Sequence, residues 1–114
     1  MKLLKAIEEA NILRPNDVPD SLKAQWVMNL EGEIAERLGV YPPENPFPND
    51  TDLFAWRPYE DIYAKYLCAM IDQANEEVNL YQNDMAIANA RIAEFKAAYR
   101  RENRYYPKRN WRTL

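Results

Sequence analysis

The chain has 114 residues, with no histidine, one cysteine, two glycines, eight prolines and a formal net charge of −3. That length suits one domain rather than two, and at roughly 65% surface burial on folding a modest core needs neither metal nor disulfide. Without His there is no His-based general base, no Ser-His-Asp or Cys-His nucleophile system and no His-containing metal site; with Cys68 alone there is no internal disulfide, CxxC pair or cysteine-rich zinc site.

The first residues, MKLLKAIEEAN, reach Glu8 and Glu9 before an apolar stretch forms, so they do not read as a secretory signal and an intracellular protein is expected. Leu3, Leu4, Ile7 and Ala10 recur at helical spacing over about Lys2 to Asn11. A stiff turn, Pro15-Asn16-Asp17-Val18-Pro19, follows, and Asp20 or Ser21 is placed to cap a second helix. In that helix Leu22, Trp26, Leu30, Ile34 and Leu38 recur every four residues beside Val27, and Gly39 is placed to end it in the left-handed conformation.

From Val40 to Pro58 the chain carries five prolines and no helical period, which predicts an extended loop (40–58) of a length that ordinary connections do not reach. Tyr41, Phe47, Leu53, Phe54 and Trp56 give this loop more apolar surface than a solvated linker uses. It reads first as a cover for the edge of the core and second as a surface that meets another subunit.

From Tyr59 to about Arg101 there is no Gly or Pro, and a seven-residue repeat runs without loss of phase through Ala64, Ile71, Val78, Met85, Ile92 and Tyr99, with a second row at Leu67, Ala74, Tyr81, Ala88 and Phe95. As one helix this segment would be roughly 65 Å long, against roughly 34 Å for a compact chain of this size. Either the helix breaks, and Asn79 to Asp84 is the expected place, or it projects and is covered by another subunit. With so little glycine for tight turns or phosphate loops, the fold class expected is all-α: a short N-terminal helix, a second amphipathic helix, the Pro-rich loop and a long heptad-patterned helix or helical hairpin. Residues 1–101 form the single helical domain in this reading, and 102–114 a basic aromatic tail.

Three features were weighed for chemistry. The acid pairs Asp72 with Glu76, Glu76 with Glu77, and Asp50 with Asp52 lack further ligands, so they read as solvated faces and turn residues, with no metal or cofactor expected. Cys68 reads as a small buried hydrophobe. The C-terminus is distinctive: Lys96 to Arg112 holds seven basic residues against Glu102, so the net −3 is the sum of −9 before Lys96 and +6 from Lys96 onward. Arg100, Arg101, Arg104, Lys108, Arg109 and Arg112 interleaved with Tyr105, Tyr106 and Trp111 is a composition that anchors protein interfaces or stacks on bases. Together with Phe47, Phe54 and Trp56 of the loop, these are the candidate partner-binding residues.

Arg57 to Asn103, preceded by two short helical segments and a Pro-rich loop, resembles the small head-tail connector (adaptor, head-completion) proteins of tailed bacteriophages and prophages. The likeness lies in Pro58-Tyr59, Ile62-Tyr63, Tyr66-Leu67, Ile71-Asp72, Ala74-Asn75, Tyr81-Gln82-Asn83, Met85, Phe95 and Tyr99-Arg100. The sequence departs from it in the run Ala86-Ile87-Ala88-Asn89-Ala90, where larger apolar residues would be expected. The resemblance implies a non-enzymatic all-α subunit that forms a homo-oligomeric ring and joins portal to tail proteins. DNA would pass through it without specific recognition, no membrane would be involved, and the protein would act in the bacterial host cytoplasm during assembly and then in the virion neck. It directs attention to the tail from Arg100 to Arg112 and the loop from Tyr41 to Trp56. The competing reading is a small nucleic-acid-binding or regulatory helical protein of a mobile element, using the same tail on phosphates.

Overall fold

The computed structural model describes residues 1–40 and 52–103. It is all-α, with α1 at Leu3–Leu13, α2 at Asp20–Leu38, α3 at Asp61–Ala74 and α4 at Val78–Asn103. Among the described residues the only extended pairing is a single antiparallel bridge between Lys2 and Asp52. The molecule measures 42 × 27 × 20 Å.

Helix α3 is the central element and packs against each of the other three. It buries Ile62, Tyr63, Leu67 and Ile71. Against it α1 sets Leu3, Ile7 and Ala10, three to four residues apart as one helical face requires. Leu4, grouped with them in the sequence, points outward. In α2 the buried face is Lys23, Val27, Leu30, Glu31, Ile34 and Ala35. The strict four-residue row expected there drifts by about 40° per step at ~3.6 residues per turn, so Leu22 at its start is exposed while Leu30 and Ile34 stay in the core.

Helix α2 starts without the side-chain cap expected from Asp20 or Ser21: Pro19 holds the N-cap position, and its carbonyl accepts from the amides of Leu22 and Lys23. Asp20 instead faces the end of α1, taking hydrogen bonds from Asn11 and Lys23. Gly39 ends the helix as expected, at φ 75° and ψ 30°, and its amide reaches back to the carbonyls of Ala35 and Glu36.

The heptad segment is a hairpin. It breaks at Asn75 to Glu77, ahead of the Asn79 to Asp84 stretch where polar residues cluster; that stretch lies inside α4. Glu76 adopts φ 59°, and the amides of Glu76 and Glu77 return to the carbonyls of Gln73 and Asp72, which closes α3 in the manner of a left-handed cap. Glycine is the usual residue there, so the stop carries no sequence signature. The helices run antiparallel, and Arg91 of α4 meets Asp61 at the start of α3, each fifteen residues from Glu76. The unbroken heptad phase therefore describes two facing helices rather than one long one.

Helix α4 is nearly twice the length of α3 and overshoots it. Its last turns are covered from within the same chain, where Phe95 and Tyr99 are buried against Phe54, Trp56 and Tyr59. Of the two outcomes that length allowed, the segment takes the break; the chain itself covers the stripe at Ile92, Phe95 and Tyr99, while Val78 near the turn stays exposed.

Glutamate at a left-handed position is strained relative to glycine by roughly 1 kcal/mol. Glu76→Gly is expected to raise the unfolding free energy by a few tenths to about 1 kcal/mol, read as a shift of the urea midpoint at unchanged slope.

Candidate functional site

The described candidates converge on one end of the molecule. Phe54 and Trp56 come from the returning loop, Arg100 and Arg101 from the last turn of α4, and Tyr99 joins them. The Tyr99 ring lies 6.0 Å from the centroids of both Phe54 and Trp56. Trp56 also meets Phe95 at 5.1 Å and Tyr59 at 6.4 Å, both edge to face. Within this cluster Phe54 is 7% exposed and Trp56 37% exposed. Phe54 is thus a core residue and leaves Trp56 as the aromatic that can meet a partner. Phe47, Arg104, Tyr105, Tyr106, Lys108, Arg109, Trp111 and Arg112 lie outside the described residues, as do Tyr41 and Asp50.

The returning segment is fixed by a buried carboxylate. Glu31, 2% exposed on the apolar face of α2, accepts from the Phe54 amide at 2.7 Å through Oε2 and from the Tyr63 hydroxyl at 2.7 Å through Oε1. The Tyr63 oxygen in turn accepts from the Ala55 amide at 2.8 Å. Two backbone donors of a segment without helix or sheet partners are satisfied in this way. Burial pushes the Glu31 carboxyl up to about 7 against the pull of those two donors, and burial beside Glu31 keeps the Tyr63 phenol protonated.

Two further anchors hold the same segment. The Leu53 amide donates to the Met1 carbonyl at 2.9 Å, and the Met1 amino group pairs with Glu60 at 2.7 Å. Arg91 donates to the Pro58 carbonyl at 3.0 Å and to Asp61 at 3.0 Å, and its guanidinium lies 4.7 Å above the Tyr59 ring.

Charge is distributed unevenly. Of the eight Lys and Arg residues before Lys96, all but Lys5 are in ion pairs: Lys2 with Asp52, Arg14 with Asp72 and Asp84, Lys23 with Asp20, Arg37 with Glu33, Arg57 with Glu60, Lys65 with Asp61, and Arg91 with Asp61 and Glu94. Lys96, Arg100 and Arg101 make no ion pair among the described residues. The cations free to engage a partner therefore gather at the end that carries Trp56.

Beside this end, α2 and α4 part over α3 to leave an open cleft of about 250 Å³, with Leu30, Ile34 and Ile92 as walls, Tyr66 as floor and Arg37 and Lys96 at the rim. Burial, with a contribution from Glu33, pushes the Tyr66 phenol up. The volume is below the ~300 Å³ where small-molecule pockets usually begin. Among the described residues no group of three or more His, Cys, Asp or Glu side chains is placed to hold a metal ion, and no helix is long and apolar enough to cross a membrane. Cys68 is buried, as expected of a small hydrophobe, and burial raises its thiol.

Of the acids read as solvated faces and turn residues, Glu76, Glu77 and Asp52 are exposed, whereas Asp72 is buried. Glu76 and Glu77 sit exposed at the hairpin turn, Asp52 is held by Lys2, and Asp72 turns to Arg14 and Asp84. The sequence reading does not single out Glu31 or Arg14, and names Tyr63 only among the positions of the resemblance. For Glu31 the signal was present, since it occupies the position one turn after Val27 and one turn before Ala35. The chain matches no protein-family model, no curated protein and no solved structure.

A folded-state value for Glu31 above its ordinary 4.5 means that the folded form holds this proton more tightly than the unfolded chain. The stabilisation is present below the unfolded value and is lost as the pH rises through about 7. Between acid and pH ~8 the unfolding free energy is expected to fall by an amount on the order of 3 kcal/mol from this group. Glu31→Gln should flatten that part of the profile in urea titrations across pH; an unchanged slope around pH ~7 would contradict the assignment.

Proposed function

We propose that this protein is a structural, non-enzymatic subunit of the phage or prophage head-tail connector kind, which assembles into a ring and joins portal to tail. The observation that carries the reading is the meeting, at one end of a long helix, of the two segments the sequence marks for partner contact. There the half-exposed Trp56 of the returning loop packs on Tyr99, in the stretch of α4 that carries Lys96, Arg100 and Arg101, which make no ion pair among the described residues and lead into the tail. Aromatic and arginine side chains on a rigid support are the usual anchors of protein interfaces. Four helices locked by buried polar contacts provide that support.

The charge distribution supports the same reading. Cations before Lys96 are almost all consumed by internal ion pairs, which leaves an acidic body. A ring lined by such a body lets DNA slide without adhering to its phosphates. The cations at the α4 end also keep the nucleic-acid reading in view, with the tail gripping phosphates and affinity falling steeply with salt.

The connector reading is tested by light scattering at high concentration and by co-purification with a portal protein at ~150 mM salt. A ring or a stable portal complex is the expected result, and a monomer that ignores portal overturns it. Arg100→Glu with Arg101→Glu should abolish the assembly while shifting unfolding stability by no more than about 0.5 kcal/mol, because both side chains are exposed. Salt-sensitive binding to duplex or single strands, lost in the same double variant and accompanied by no assembly, would favour the nucleic-acid reading instead.

A further inference from the structure

At the opposite end of the hairpin, three elements meet on charged groups. Arg14, which follows the last residue of α1, directs its guanidinium at two carboxylates, with Nη2 donating to Asp84 Oδ2 at 2.8 Å and Nε to Asp72 Oδ1 at 3.3 Å. The Asp72 side chain is 3% exposed, and its other oxygen, Oδ2, is buried without a donor. One guanidinium supplies one positive charge. Two ionised carboxylates would leave a buried excess of negative charge and a buried acceptor with nothing to accept from.

The two carboxyls lie within hydrogen-bonding reach of each other. A proton on Asp72 removes both difficulties together, because it cancels the excess charge and converts the orphaned oxygen into a donor toward Asp84. The groups that face Asp72 are Arg14 from the end of α1, Asp84 from α4, and Cys68 one turn earlier on α3; Lys65, a further turn away, stands near Cys68 and pairs with Asp61.

We propose that Asp72 and Asp84 share one proton beneath Arg14, and that this proton works as a pH-operated latch fastening α3 to α4 next to the hairpin turn. Burial, then the neighbouring Asp84, raises the Asp72 carboxyl to about 6, while the hydrogen bond from Asp72 and the contact with Arg14 hold Asp84 below the ordinary carboxylate range. For Asp72 the folded value lies above the unfolded one, so the latch is fastened on the acid side and loosens as the pH rises through about 6. Arg14, Asp84, Lys65 and Cys68, with Leu13 and Ile87, line a cavity of about 170 Å³. Two ionised carboxylates repel each other, and parting α3 from α4 there widens this cavity over Cys68, the chain's single thiol.

Two measurements test the latch. Carboxyl-carbon NMR on the full, unaltered chain should show one of the two aspartates titrating near pH 6 and the other well below the usual range; both titrating at ordinary values or lower overturns the shared proton. Labelling of Cys68 by an aromatic disulfide reagent then reads the opening. At about pH 7.5 the wild-type chain should react several-fold faster than Asp72→Asn, whose amide mimics the protonated acid, and at about pH 5.5 the two should react alike. The Asp72 carboxylate raises the Cys68 thiol, so its loss in Asp72→Asn favours the reactive thiolate and works against the expected ratio; a faster wild-type chain therefore reports opening. A ratio that does not change between the two pH values overturns the gating. Glu31→Gln, which removes the other acid that titrates in this range, should leave the ratio unaltered.

Discussion

A segment of chain without regular structure can enter a core only if its backbone donors find acceptors, and here a single buried carboxylate meets that requirement. Glu31 and the tyrosine it holds supply the acceptors for the amides of Phe54 and Ala55. Removing either acceptor strands a buried amide, at a cost of about 1–3 kcal/mol each. Because those amides are fixed, Leu53, Phe54 and Trp56 alternate between the helix core and the aromatic cluster, and the overhanging turns of α4 are covered. The long helix of the hairpin depends on this contact between α2 and the returning segment as much as on its packing against α3.

The same constraint explains why interface candidates from distant parts of the sequence meet. Trp56 is brought to Tyr99 because α4 overshoots α3 and the returning segment fills the space left over. Arg91 then seals the corner through the Pro58 carbonyl, Asp61 and the Tyr59 ring. Lys96, Arg100 and Arg101 extend beyond the last acidic partner that α3 can offer, so they make no ion pair among the described residues. The local excess of positive charge thus follows from the unequal lengths of two helices.

Much of this fold was legible in the sequence, and the reasons differ from element to element. Periodicity marked the helical segments, Gly39 marked the end of α2, and the argument from length required the heptad segment to break or to project. The position of the break was hidden, because Glu76 takes a conformation that only glycine or asparagine would have advertised. The heptad rows were correct as a pattern, yet a continuous phase is equally the signature of two antiparallel helices facing each other across a short turn. Buried charge was hidden for a different reason. Lys23, Glu31 and Asp72 sit on the core faces of their helices, and reading polar residues as solvent-facing assigns each of them to the wrong side. Of the interface candidates, Phe54 and Trp56 have the same aromatic character and sit two residues apart. Only the hydrogen bonds of the intervening backbone decide which one is covered.

Buried acids also alter the charge on which the functional reading turns. The formal −3 counts every carboxylate as ionised, but Glu31 and Asp72 are held to about 7 and about 6. On the acid side of those values each carries a proton in the folded state, and the molecule approaches neutrality by up to two charges. Asp72 binds its proton beside the hairpin turn and Glu31 beneath the segment that carries Trp56, and both belong to the acidic part of the chain before Lys96, so the contrast between acidic body and basic terminus diminishes. Any association that depends on that contrast should therefore strengthen as the pH rises through 6 to 7, the range in which both buried sites lose their protons and the folded state becomes less stable. Stability and the negative charge of the body are thus linked through the same two carboxyls, and they change in opposite directions.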